Sequence, residues 1–253
     1  MTRSTIRIAA LPLAALVPLF AACADNSPST VNAPAGASMA SHSMVHGDQA
    51  DALPDGDYEA DLHVLNAGVQ EHLDPDRADG ARGVTRGKAF FTVKNGEFTA
   101  VVSAMGVEPN MIHPQHIHAA ASCPPASADV NGDGFVDVIE GVPFYGPILI
   151  PLDDNLASQA AGAFPTAVGI QGLLNYTATT SLTALLNDLN APDPDPTDAV
   201  VKLNGAPLAL ETRHVVIHGV DAHTPLPPTV ASLPGVPAFL TLPVACGEIR
   251  RIR

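Results

Sequence analysis

The sequence predicts an all-β domain built as a sandwich or barrel. Three observations point there. Of 253 residues, 24 are Pro and 20 are Gly, while 4% are aromatic and 15% charged, a balance that suits short strands and long turns better than a helix bundle. Short apolar or alternating segments recur between Pro- and Gly-bearing loops. Asn95-Gly96 lies between two of them and is the strongest short hairpin signal. A chain of this length with 46% hydrophobic residues can bury a full core. Fibrous and wholly disordered architectures are excluded.

The first strand is expected near Tyr58, where Tyr58, Ala60, Leu62 and Val64 alternate with polar or charged neighbours. Phe90, Phe91, Thr92 and Val93 then lead into Asn95-Gly96, and residues 98–102 return from it as an antiparallel partner. Further strands are expected over residues 115–119, 148–151, 199–203, 213–218, 238–242 and 245–250. Leu182, Leu185, Leu186 and Leu189 share one helical face, Thr180 or Ser181 can cap its start, and Pro192 stops it. This helix falls in an insertion of about residues 152–197. The Pro-Asp alternation from Pro192 to Pro196 reads as a stiff exposed linker.

The first segment is read as export machinery rather than fold. Arg3 and Arg7 precede an apolar stretch from Ile8 to Ala22 that ends in small residues before Cys23, the layout of a secretory signal over residues 1–22. Leu19-Phe20-Ala21-Ala22-Cys23 resembles a bacterial lipobox, which implies cleavage before Cys23 and lipidation of its thiol. Ala24, next in the chain, favours the outer membrane of a bacterial cell envelope. Residues 23–55 lack a hydrophobic period and read as a flexible tether, leaving residues 56–253 as the folded domain. Met39, His42, Met44 and His46 offer thioether and imidazole groups suited to copper, although chance composition also accounts for them.

Charge narrows the partners. Lys and Arg number 12 against 26 acids, a net charge of −14. Loss of residues 1–22 removes two Arg and no acid, taking it to −16. Nucleic-acid binding is excluded, because phosphate recognition needs clustered cations. Metal ions are the expected partners, and the membrane is met through the lipid anchor only. Three cysteines are present. With Cys23 lipidated, Cys123 and Cys246 remain to form one long-range disulfide in an oxidising compartment, two free thiols being the alternative. Its loop would restrict the unfolded chain by about 4 to 5 kcal/mol in the loop-entropy treatment.

The sharpest motif is Asp129-Val-Asn131-Gly-Asp133-Gly134-Phe135-Val-Asp137-Val-Ile-Glu140, which has the spacing of the twelve-residue EF-hand calcium loop. Asp129, Asn131 and Asp133 offer side-chain oxygens, Gly134 permits the sharp turn, and Phe135 contributes its carbonyl. Asp137 would bind directly or through water, and Glu140 would close the site with both oxygens. Pro124 and Pro125 before the loop, and Gly141, Pro143 and Gly146 after it, deny it the two long helices of a paired sensor. The expected role is a structural clip.

Histidine supplies the second signal. His116 and His118 would share one face of a strand, and His218, in the apolar run Val215-Val216-Ile217, could complete a three-imidazole site on a neighbouring strand. Imidazole suits copper and zinc. The run His113-Pro-Gln-His116-Ile-His118 with Cys123 five residues later, then Arg213-His214-Val215-Val216-Ile217-His218, then Ala245-Cys246-Gly247, resembles the Cu,Zn superoxide dismutase family in order and spacing. The resemblance implies a Greek-key β-sandwich, copper on His116, His118 and His218, support from His113 behind them, and the Cys123–Cys246 bridge. It would make any catalysis copper-dependent redox chemistry. No His occurs between His118 and His214, where that family's zinc ligands fall, so no zinc is expected. Pro243 stands where the family carries an Arg that guides superoxide, which counts against dismutase activity. Gly87-Lys-Ala-Phe-Phe-Thr through Gly106-Val-Glu-Pro-Asn to His116-Ile-His118 also resembles the chordin-type CHRD domain, which implies a non-catalytic envelope or adhesion module. A periplasmic copper-binding protein is the third reading. No Gly-x-Ser-x-Gly elbow is present to support acyl transfer.

Overall fold

The computed structural model describes residues 53–67, 85–120, 122–160, 162–197 and 199–253. The signal segment, Cys23 and the Met39, His42, Met44 and His46 group lie outside them. No helix among the described residues is long and apolar enough to cross a membrane.

Among the described residues nine strands carry the fold: β1 Gly56–Val64, β2 Arg86–Lys94, β3 Glu97–Met105, β4 Gln115–His118, β5 Ile148–Pro151, β6 Leu174–Ser181, β7 His214–His218, β8 Pro243–Glu248 and β9 Arg250–Arg251. All their pairings are antiparallel. The spatial order is β5-β4-β7-β8-β1-β2-β3-β6, with β9 on the other side of β1. β1 is the joint: its residues 56–62 pair with β2, whereas His63 and Val64 pair with β8. The sheet therefore curls into two facing halves. The β3–β4, β5–β6 and β6–β7 connections each cross from one half to the other, as in an all-β sandwich.

Alternation explains the first half. Ala89, Phe91 and Val93 of β2 and Phe98, Ala100 and Val102 of β3 are buried, and the intervening side chains point outward. Asn95 and Gly96 both take positive φ, 53° and 78°, which is what a two-residue turn of matching twist requires. Against this face pack Ile117, Leu149, Val215, Ile217 and Ala245 from the second half, in one continuous core. β4 and β7 are buried at every position, because their outer face is covered as well.

Three α-helices lie among the described residues, α1 Val138–Tyr145, α2 Leu182–Leu189 and α3 Ala238–Thr241, with 3-10 turns at Ala126–Ala128 and Leu210–Thr212. α2 matches its expected leucine face, with Leu182, Leu185 and Leu189 buried and Ser181 as the cap. The segment read as an insertion also contributes β6, which pairs with β3 over eight positions. Its Thr-rich sequence gave no apolar run to reveal it. Residues 199–203 do not form a strand; they make a single parallel bridge from Val200 to Ile148 and then turn to hydrogen-bond Leu189. Residues 238–242 are helical rather than extended, since Pro237 sets up the first turn and the Leu242 N–H closes on the Ala238 carbonyl. Residues 245–250 divide at Ile249, where the chain leaves β7 and joins β1.

Candidate metal centre

His116 and His118 lie two positions apart on β4, so both project from its outer face while Ile117 enters the core. β7 pairs with β4, bringing His218 alongside, with a bulge at Ile217/His218 where β7 meets β8. The ring centroids are 5.5 Å apart for His116 and His118, 5.4 Å for His116 and His218, and 5.8 Å for His118 and His218. One ligand nitrogen from each lies within 4.8 Å of the others. Among the described residues this is the one group of three His, Cys, Asp or Glu that close.

Hydrogen bonds assign the ring protons. His118 Nδ1 is 2.8 Å from the Gly146 carbonyl and His218 Nδ1 is 2.7 Å from the Thr241 carbonyl. A carbonyl only accepts, so each Nδ1 carries the proton and each Nε2 keeps a lone pair. His118 Nε2, His218 Nε2 and His116 Nδ1 are all buried without a hydrogen-bond partner. Buried polar atoms are seldom left so, and three together are the signature of a ligand set. Burial holds these imidazoles neutral: it takes His116 well below the usual imidazole range, His118 to about 3 and His218 to about 4. For His116 and His118, the prospect of charge on the neighbouring rings adds to the effect.

The rings are walled in by aromatics. Tyr145, at the end of α1, sits edge-on to His118 at 4.6 Å, and Phe164 to His116 at 5.2 Å. His113 is fully buried between the carbonyls of Glu108, 2.7 Å, and His218, 3.0 Å, and packs behind His218, its single N–H as a neutral ring serving one of the two. Burial depresses its pKa more than the two carbonyls raise it. His214 is opposite His118 in the register yet outside the group, its Nδ1 on the Ala120 carbonyl at 2.7 Å. Cys123 and Cys246 form a disulfide that ties the loop after β4 to β8. Pro243 opens β8, and its carbonyl receives the Asn66 amide.

The acidic loop winds about its own side chains. Asp129 accepts from the N–H groups of Gly132, Asp133 and Gly134 at 2.7, 3.2 and 2.9 Å. Asn131 accepts from Asp133, and Asp133 from Phe135. Glu140 Oε1 reaches back to Val130 and Asn131, at 2.9 and 3.2 Å. Asp133 Oδ2 is buried and unpartnered. Asp137 also starts the next element, capping α1 by accepting from Ile139 and Glu140, while its other oxygen holds Ala231 at 2.6 Å. A short turn at Ala126–Ala128 precedes the loop and the eight-residue α1 follows it, so two long flanking helices are absent among the described residues.

Sequence reasoning missed what lies around the imidazoles. Gly146, Tyr145, Phe164, Gln159 and Thr241 all line or orient the site. The Asp137-x-x-Glu140 capping box could have revealed α1, but it is written inside the calcium-loop spacing and Pro143 obscured it. No protein-family model matches the chain, and no curated protein is similar to it. The likeness to superoxide dismutase therefore rests on the residues themselves.

Proposed function

We propose that this chain is an exported, lipid-anchored copper-binding protein of superoxide-dismutase-like build, with a calcium loop as its staple. The observation that carries the reading is the convergence of three buried, neutral imidazoles, one ligand nitrogen from each within 4.8 Å of the others, in a group where every ring keeps one buried nitrogen without a partner. His116, His118 and His218 would hold the ion, and imidazole donors fit copper well. Copper so bound would supply reversible one-electron chemistry. The chain's own contribution is to fix each ring: Gly146 and Thr241 hold Nδ1–H of His118 and His218, Tyr145 and Phe164 exclude water, and His113 packs behind His218.

Dismutation is not part of the proposal. The cavity over the imidazoles is lined by no charged side chain, and the net charge of −16 expected after loss of residues 1–22 repels a small anion. The orphaned Asp133 Oδ2 and the loop spacing support calcium at Asp129, Asn131, Asp133, Phe135, Asp137 and Glu140.

Metal analysis with electron paramagnetic resonance on the purified protein tests both parts. One tightly held copper per chain is expected, lost in His118→Ala and retained in Glu140→Ala at saturating copper. Calcium is expected to raise the melting temperature of the parent but not of Glu140→Ala. Failure to retain copper would remove the redox reading and leave a calcium-stapled binding module. Calcium without thermal effect would remove the staple.

A further inference from the structure

The curled sheet ends at β5 on one side and at β6 on the other, and the two edges differ. β5 is four residues long and its outer side is occupied: the Ile148 N–H donates to the Ala199 carbonyl, and the Ile148 carbonyl accepts from Val201, both at 2.9 Å. β6 is eight residues long and pairs with β3 throughout without a bulge. The Leu182 N–H donates to the Gly96 carbonyl at 2.8 Å, one step beyond the Glu97–Ser181 pair. Hydrogen-bonded and non-hydrogen-bonded pairs alternate along an antiparallel ladder, so the even-numbered residues of β6 direct their N–H and C=O groups to β3. Those of Asn175, Thr177 and Thr179 point away from it and have no backbone partner among the described residues.

An edge of this kind is ordinarily blunted by charge, proline or a bulge. β6 has none of the three. No Asp, Glu, Lys or Arg occurs from Asn155 to Asn187, in a chain whose net charge is −14. A row of alternating N–H and C=O groups is matched by another extended strand. A second copy of β6 fits that requirement. Two copies of so acidic a chain repel over most of their surface, and the charge-free edge lets them meet. The pairing is also self-complementary: about a two-fold axis at Thr177, that residue faces its own counterpart and Asn175 faces Thr179 in both directions, through outward-directed groups alone. Side chains would then meet as they already do between β3 and β6, where the hydroxyls of Thr99 and Thr179 are 2.8 Å apart and Ser103 donates to Asn175 at 3.3 Å.

We propose that β6 is a homodimer interface, two chains pairing edge to edge about Thr177 and joining their sheets into one. The proposal goes beyond the metal readings and does not depend on them, since β6 carries none of their residues.

Full-chain protein followed by sedimentation equilibrium over a concentration series should show a monomer–dimer equilibrium. Residue-resolved hydrogen exchange at the Asn175, Thr177 and Thr179 amides should slow as the dimer forms. Thr177→Pro removes the central outward N–H and no bond to β3, the placement at which an edge strand accepts proline. Because the two-fold doubles each loss, its dissociation constant should rise about tenfold or more. Thr177→Lys is the second variant, should proline disturb the strand itself: the side chain is exposed, and the substitution sets like charges face to face across the axis. It also lowers each copy's net negative charge, so general repulsion weakens and dissociation by this variant reports the contact itself. A chain that stays monomeric with all three amides exchanging freely, or a dimer that survives both variants, overturns the proposal. A monomer in which those amides are protected overturns it as well, and assigns the edge to a segment of the same chain.

Discussion

Acidifying the metal-free protein from pH 7.5 to 5.5 should cost it much of its stability, and the three imidazoles set the amount. His118 is held near 3 and His218 near 4 by burial, and His116 lies well below the ordinary value of 6.5. A folded-state pKa below the unfolded one gives stability that is complete above 6.5. That stability is lost as the pH falls towards 3 to 4, because the unfolded chain takes up protons that the native state refuses. Over these two pH units each imidazole held neutral contributes a loss of about 1 kcal/mol or somewhat more, the three together about 4 kcal/mol, and His113, also lowered by burial, adds to it. For a domain whose whole stability is of order 5 to 15 kcal/mol, that is a large share. Urea unfolding at half-unit pH intervals, with the disulfide intact and chelator present, reads the effect as a falling midpoint at constant slope. His218→Leu should remove roughly a third of the dependence. A midpoint that stays level between pH 7.5 and 5.5 would refute the assignment of three neutral buried imidazoles.

Two further outcomes follow from the same region. Gly146 has φ 79° and ψ −177°, backbone that only glycine tolerates, and an added Cβ would meet Ala120 at 2.7 Å; Gly146→Ala should therefore destabilise by about 1 to 3 kcal/mol. Because the Gly146 carbonyl orients His118, the variant should also release bound copper faster, measured by transfer to a chromophoric chelator. Replacing Cys123 and Cys246 together by Ser should lower the urea midpoint by the equivalent of about 5 kcal/mol, since 123 residues separate them.

How much of this could be read beforehand differs by element. The β2–β3 hairpin was legible because its information is local: alternation on both arms and Asn95-Gly96 between them. The three imidazoles were legible because the two-residue spacing of His116 and His118 puts both on one face of a strand, and because His218 ends the apolar run Val215-Val216-Ile217. β6 was not, because its position at the sheet edge leaves Asn175, Thr177, Thr179 and Ser181 outward and polar, while the inward face holds Leu174 and Tyr176 but then only the small Ala178 and the polar Thr180. Residues 238–242 misled for the opposite reason: Phe239, Leu240 and Leu242 read as a strand, but tertiary hydrogen bonds from Gly219 and Val220 to the carbonyls of Leu242 and Phe239 hold a helical turn against the site. Gln159 had no sequence signal, since its amide is fixed by the carbonyls of Leu149 and Val201, 10 and 42 residues away.

The acidic loop and the imidazoles are joined by short mechanical links on two sides, so the two proposed metal sites should be coupled. On one side Asp137 and Glu140 start α1 with a capping box. The helix then delivers Val138 and Val142 to the cavity wall, the Tyr145 ring to His118, and the Gly146 carbonyl to the His118 proton. On the other side Asp137 holds Ala231 and Asn131 reaches Thr229, at 2.6 and 3.4 Å. Next to them Ser232 bonds Thr241, whose carbonyl receives the His218 proton at 2.7 Å. Two of the three ring orientations therefore depend on a loop that carries Asp129, Asp133, Asp137 and Glu140, four acids whose mutual repulsion a cation would relieve. If copper binds as proposed, linkage requires that an ion that orders the loop tighten copper binding, and that copper tighten the loop's hold on its ion by the same factor. Glu140→Ala should thus weaken copper about 5-fold or more even though it touches no imidazole, a coupling of about 1 kcal/mol. The parent's copper affinity should rise with added calcium while the variant's stays constant. Equal copper affinities for parent and variant at every calcium concentration would show that α1 and the 229–233 segment hold their places without the ion.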